Sequence, residues 1–171
     1  MVTAAGLTTA RAIAAAVPDP ELPMVTVADL GILRDVAAEG DRLVVTITPT
    51  YSGCPALREI AGDLRHRLAA SGYAEVDVRT ALAPAWSSDW ITAEGRQKLR
   101  AAGIAPPHAA DRRRASGPVP LTLTGTRREP VACPRCGSAV TTQTATFGAT
   151  ACTALYRCES CREPFEYVKE I

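Results

Sequence analysis

The chain has 171 residues, of which 47% are hydrophobic and 22% charged, with a formal net charge of +1. This composition describes a soluble globular protein with room for one ordinary domain, or for a domain of about 100 residues plus a small module. Near-neutral charge excludes any broad electrostatic attraction to nucleic acid or to an anionic membrane.

The opening "MVTAAGLTTARAIAAAV" lacks a basic n-region, and Arg11 interrupts its apolar part, so no signal peptide is expected. No apolar run reaches the roughly 18 residues of a membrane span, which leaves the cytoplasm as the expected location. Residues 7–17 are Ala-rich and read as a helix, stopped by "PDPELP", where prolines remove backbone donors. "GILRDVAAEGDRLVVTITPT" then reads as two short strands with Ile32, Val36, Val45 and Ile47 as core positions. Glu39, Gly40 and Asp41 form the turn between them.

"CPALREIAGDLRHRLAASGY" carries the clearest helical pattern. Leu57, Ile60, Ala61, Leu64 and Leu68 recur at three- and four-residue intervals, while Arg58, Glu59, Asp63, Arg65 and Arg67 fall elsewhere. Pro55 suits the first helical position and Gly72 the stop. "AEVDVRTAL" alternates Val76 and Val78 as a third strand, and a helix over about 92–102 follows with Thr92 as its N-cap. Residues 105–130 hold a basic cluster at 112–114 and prolines without apolar periodicity, the pattern of a linker, with a short strand expected at Leu121–Thr124. No aromatics interleave with the arginines, so that cluster reads as solvated linker rather than an RNA-binding patch.

The last 41 residues contain five of the six cysteines. "CPRCG" and "CESC" are two C-x-x-C pairs, Cys133 with Cys136 and Cys158 with Cys161, separated by 21 residues. In a reducing compartment such pairs mean metal or redox chemistry rather than disulfides. Two knuckles complete a tetrahedral S₄ site, and a unit this small needs the ion to fold. Four cysteines close the shell against water, so the expected ion is a structural zinc. On ligand type alone, iron or a small cluster in the same cage stays open. Cys152 is surplus and reads as a small buried hydrophobe beside Leu155 and Tyr156.

Cys54 differs from these five. It stands at the mouth of the long helix, behind Gly53 and a run of hydroxyls at Thr48, Thr50, Tyr51 and Ser52. A helix N-terminus presents unpaired N–H groups and lowers the pKa of a cysteine placed there, favouring the thiolate that binds metal. The alternative is a helix-start cysteine that simply packs. No thiol-enzyme pattern assembles around it. The sixth residue on is Ile60 instead of the arginine of a phosphatase loop, and Leu57 stands where a thioredoxin motif has its second cysteine. His66 and His108 both read as solvated. A binding role fits better than turnover.

"DPELPMVTVADLGILRDV", "VTITPTYSGCPA" and "ALAPAWSSDWITAEGRQKLRAAGIAPP" resemble the iron–sulfur cluster assembly domain family, and "FGATACTALYRCESCREPFEYVK" is similar to the cysteine ribbon ending its members in phenylacetate-degrading ring monooxygenase systems. The resemblance implies an α+β chain: a small two-layer assembly-type domain over 1–104, a linker over 105–130 and a β zinc ribbon over 131–171. It implies a maturation or assembly factor for metal centres, not itself catalytic. Its clients would be the oxygenase's reductase or di-iron subunit. Cys54 occupies the family's "GCP" cysteine and Asp29 the acidic position of its "DLG" motif, together the expected site for a transient iron or cluster, with Thr48, Thr50 and Gly53 in support. One cysteine cannot complete a cluster's shell, so a second protomer, a small thiol or a client must supply the remaining ligands. A structural subunit of the oxygenase, or a redox thiol paired with Cys152, are the rival readings. Trp86 and Trp90 read as packing over the core rather than as a partner surface.

Overall fold

The computed structural model describes residues 2–51, 53–108 and 130–170. Ser52, the basic cluster at 112–114 and the expected strand at 121–124 lie outside the described residues. The chain divides into two compact units, one ending at Ala102 and the other spanning Gly103–Glu170. Ile104 and Ala105, at the expected boundary between domain and linker, belong to the second unit, where they form a strand of its sheet.

In the first unit, helix α1 covers Ala4–Ala15 and starts three residues earlier than its alanine run suggests, because Thr3 caps it by accepting from the Gly6 N–H at 3.1 Å. Strands β1 (Leu33–Glu39) and β2 (Arg42–Ile47) form an antiparallel hairpin, with Val36 opposite Val45 and Gly40 turning at φ 65°. Helix α2 (Ala56–Ala70) carries the chain across to β3 (Val76–Thr80), which lies parallel to β2. A 3₁₀ turn at Ser88–Trp90 leads into α3 (Ala93–Ala101), whose N-cap Thr92 accepts from the Gly95 N–H at 2.9 Å.

The order helix, strand, strand, helix, strand, helix is the one expected from the residue patterns. On α2 the buried row is Ala56, Ile60, Leu64 and Leu68, while Leu57 and Ala61 are half-buried at its border. Side chains of this row, with Val36, Leu43, Val45, Ile47 and Leu99, are essentially removed from solvent. Each large aliphatic group so buried contributes about 1.5–3 kcal/mol. Trp86 is also buried and its indole N–H donates to the Leu30 carbonyl at 2.8 Å. Trp90 packs against Gly31, with the Arg34 guanidinium 3.6 Å from its ring centre. Both tryptophans therefore pack over the fold, as expected.

The second unit is a four-stranded sheet in the order β4 (Ile104–Ala105), β7 (Pro164–Val168), β6 (Thr153–Cys158), β5 (Thr141–Ala145). β4 runs parallel to β7 and the other pairs are antiparallel. Its core cluster is small: Ala105, Val131, Cys133, Cys158, Phe165 and Tyr167, with Tyr156 packed against them. His108, expected to be solvated, instead lies 2.9 Å from the Glu170 carboxylate and tilted against the Tyr167 ring. Its partners are more than fifty residues away in sequence, beyond the reach of local pattern.

Candidate functional site

Two cysteine sites occur, one in each unit. In the second unit Cys133, Cys136, Cys158 and Cys161 bring their four Sγ atoms within 4.8 Å of one another. The knuckles repeat one design. The Gly137 N–H donates to the Cys133 carbonyl and the Arg162 N–H to the Cys158 carbonyl, both at 2.9 Å. Gly137 and Arg162, each four residues after the first cysteine of its pair, adopt φ of 75° and 67°. Arg162 is the one non-glycine residue with positive φ among the described residues, which marks the turn as imposed by the site.

Between knuckles, Cys133 and Cys161 sulfurs lie 3.8 Å apart and those of Cys136 and Cys158 3.6 Å apart. Thiolates about 2.3 Å from a central zinc at tetrahedral angles stand about 3.8 Å from each other, so the cage fits that ion. Backbone N–H groups of Cys161 and Ser160 draw the Cys158 thiol down to about 6. At Cys161 the Glu163 N–H acts the same way, but burial and the three neighbouring sulfurs prevail and push it up to about 12. Four adjacent thiols ionise together only around a cation. Cys152 stands outside this cage, half-buried, its sulfur 3.0 Å from the Thr150 hydroxyl.

In the first unit β2 ends at Ile47 and α2 begins at Ala56, so Pro55, expected at the first helical position, is instead the N-cap residue, with φ −68° and ψ −28°. Cys54 is half-buried, its N–H donating to the Tyr51 carbonyl at 3.2 Å. Burial pushes its thiol up. The Ala56 and Leu57 N–H groups and the Thr50 hydroxyl act against this, and the Glu21 carboxylate reinforces it. The expected lowering by the helix terminus is thus outweighed: desolvation of the anion exceeds what two amides and a hydroxyl return. Unliganded Cys54 rests as a thiol near neutral pH, and an incoming cation would favour the thiolate.

Among the supporting residues, Thr50 bears on Cys54 directly and Gly53 adopts φ +88° with open space where a Cβ would stand. Thr48 is buried, and its hydroxyl has no hydrogen-bond partner among the described residues. Glu21 is a neighbour of Cys54 that sequence reasoning misses. Its one signal is the acidic residue inside the "DPELP" stop, a stretch whose prolines otherwise account for it. Asp19 organises that turn by accepting from the Glu21 and Leu22 N–H groups at 2.9 and 2.8 Å, and its burial pushes its own carboxyl up.

Asp29 is also buried, and its carboxylate is committed locally. It accepts from the Thr26 N–H at 2.9 Å, while the Asp29 N–H donates to the Thr26 hydroxyl, a reciprocal pair closing the turn. Lys98 of α3 reaches the same carboxylate at 2.8 Å, and the Thr92 N–H donates to the Asp29 carbonyl at 2.8 Å. Burial alone would raise this carboxyl, but Lys98 and Thr26 outweigh it and hold it below its ordinary value. A Cβ on Gly95 would come within 2.8 Å of the Asp29 carbonyl, so α3 seats against this turn without a side chain between. His66 is exposed, as expected.

Residues 10–82 match the family model of iron–sulfur cluster assembly proteins, and residues 117–169 match that of the PaaD zinc beta ribbon domain. A protein of Escherichia coli (strain K12), named for the D component of a 1,2-phenylacetyl-CoA epoxidase, is 44% identical over 153 residues, 90% of this chain and 86% of its own. The crystal structure of a DUF59 domain from Bacillus anthracis is 31% identical, covers 54% of this chain and 90% of its own, and superimposes with a TM-score of 0.50. With an assembly-type domain followed by a cysteine ribbon, and this identity along nearly the whole length, the chain belongs to the PaaD family of 1,2-phenylacetyl-CoA epoxidase components.

Proposed function

We propose that this protein is a maturation factor for a metal centre of a phenylacetyl-CoA epoxidase system, and that Cys54 is the thiol that transiently holds iron or an iron–sulfur cluster for delivery. The observation carrying the reading is the position of Cys54. It lies at the mouth of α2, with Thr50, the Ala56 and Leu57 amides and the Glu21 carboxylate acting on its sulfur, inside the segment that matches the cluster assembly family. The iron or cluster is cargo, and a single thiolate with one carboxylate nearby leaves positions for ligands from the recipient. A thiol that ionises only when a cation arrives suits loading followed by release, since losing the ion restores the proton. The reductase and di-iron subunits of the oxygenase are the recipients this chemistry serves. The zinc ribbon holds a structural ion; the unit ending at Ala102 acts as carrier domain, and residues 131–171 with the β4 strand at Ile104–Ala105 act as ribbon domain.

The test is metal content after anaerobic, iron-replete expression of wild type and Cys54→Ala. Iron and sulfide bound to wild type and absent from Cys54→Ala, with equal zinc in both, is the expected result. Iron held equally by both proteins, or by neither in the presence of a purified recipient, overturns the assignment to Cys54.

A second reading has its own support. Asp29 spends its carboxylate on Thr26 and Lys98, and Cys54 rests protonated, as in a domain used as a stoichiometric structural subunit. That reading predicts stable co-purification with the oxygenase and full activity with Cys54→Ser.

A further inference from the structure

The four cysteines of the ribbon are not equivalent. Cys133 and Cys158, the first of each pair, are buried in the core cluster with Phe165 and Tyr167, at 2% and 0% exposure. Cys136 and Cys161, the second of each pair, are exposed. Since the knuckles face each other with opposite members in contact, Cys133 against Cys161 and Cys136 against Cys158, each buried sulfur has an exposed one across the cage. One edge of the tetrahedron is thus seated in the protein and the opposite edge lies at the surface.

Arg135 lies 4.0 Å from Glu163 and Arg162 lies 3.2 Å from Glu159, so the cations near the open edge are paired. Four thiolates around one divalent ion leave the cage net negative, which disfavours anionic reagents. A small neutral molecule is the visitor such a rim admits, and zinc-bound thiolates are nucleophiles wherever one can reach them.

We infer that the Cys136–Cys161 edge is an oxidative modification site at which hydrogen peroxide discharges the ribbon's zinc. One exposed thiolate attacks the peroxide oxygen. The O–O bond breaks, hydroxide leaves and the cysteine becomes a sulfenic acid. The other exposed thiolate then attacks that sulfur and displaces a second hydroxide, leaving a disulfide. Two thiolates are oxidised by two electrons, one peroxide is reduced to two hydroxides, and the zinc loses half its ligands. Cys133 and Cys158 remain reduced in the core, so a dithiol reductant and zinc restore the site. This inference concerns the ribbon alone and stands or falls separately from the role of Cys54.

The experiment treats zinc-loaded full-length protein with hydrogen peroxide. Zinc release is followed with a chromogenic chelator, and the thiols are then alkylated in denaturant and mapped by peptide mass spectrometry. The expected result is a Cys136–Cys161 disulfide forming in step with zinc release while Cys133 and Cys158 stay alkylatable. Oxidation at the exposed pair should run at least about tenfold faster than at the buried pair, as accessibility controls thiolate reactivity. Cys161→Ser, which keeps both buried ligands and removes the exposed partner, should stop at a sulfenic or higher oxide on Cys136, with Cys158, 3.6 Å away, protected in the core. A Cys136–Cys158 disulfide in this variant would overturn the inference. A first disulfide within either C-x-x-C pair, prior oxidation of Cys133 or Cys158, or zinc retained at peroxide levels that fully oxidise a free peptide thiol would each overturn the inference.

Discussion

The two units solve the problem of staying folded by different means. The first buries rows of aliphatic side chains from α2 and β2, joined by Val36 of β1 and Leu99 of α3, and its cysteine is not among the buried core residues. The second has a core cluster of six residues, two of which belong to the four-cysteine cluster, so its packing and its candidate metal site share Cys133 and Cys158. Comparison of the two shows what a thiol costs and returns in each setting. In the ribbon a set of four is committed to one ion and stabilises the fold. In the assembly-type domain a lone thiol stands half-buried at the mouth of α2, outside the buried aliphatic row.

Removing zinc separates the units most sharply. A structural Cys₄ ion supplies on the order of 10 kcal/mol of apparent binding energy, which is folding energy for a unit this small. Chelation, or Cys158→Ser, should abolish amide protection in β5–β7 while leaving α2 and β2 protected, as hydrogen exchange read by mass spectrometry will show. Equal loss in both units would break the comparison. The mirror experiment is Leu64→Ala. Leu64 is fully buried on α2, and truncation should cost about 2–5 kcal/mol. Its thermal midpoint should fall with zinc content unchanged.

Asp29→Asn tests the polar seam of the first unit and should cost about 1–3 kcal/mol at neutral pH, through the lost charge at Lys98 and Thr26. Because the folded pKa of Asp29 is depressed, its stabilisation is fully present above the ordinary carboxylate value of 3.8. It is lost as pH falls through the lower folded value. Urea titrations of wild type between pH 6 and about 3 should therefore show an acid-labile component that Asp29→Asn lacks. The smallest effect belongs to Arg162→Gly. Relief of the left-handed backbone at φ 67° should stabilise the zinc-bound ribbon by up to about 1 kcal/mol, offset in part by the exposed ion pair with Glu159. A slower loss of zinc to a competing chelator would register it.

Legibility in the sequence follows the range of the interaction. The α2 row, the Thr92 cap, the β1–β2 turn at Gly40 and the two cysteine knuckles are set by neighbours within a few residues, and each is readable from spacing. What escapes depends on contacts across the chain. Lys98 meets Asp29 from 69 positions away, and His108 meets Glu170 from 62. Glu21 acts on Cys54 from another segment, and no periodicity announces it. β4 has only two residues, too few for alternation, and becomes a strand because β7 is there to receive it. The direction of the Cys54 shift reverses the sequence expectation for a related reason. A helix terminus is visible in sequence, whereas the burial that outweighs it is a property of the assembled fold.

Arg11 of α1 donates to the Asp35 carboxylate and to the Val36 carbonyl, both at 2.9 Å. β1 has β2 as its one neighbour in the sheet of described residues, and strands in that position invite association with other molecules. A foreign strand seeking the Val36 carbonyl must first displace a guanidinium that an aspartate holds in place. That latch is ionic and surface-exposed, so its grip weakens with salt. The shelf life of the concentrated protein thus becomes a question of ionic strength, answerable with Arg11→Ala and a light-scattering cell.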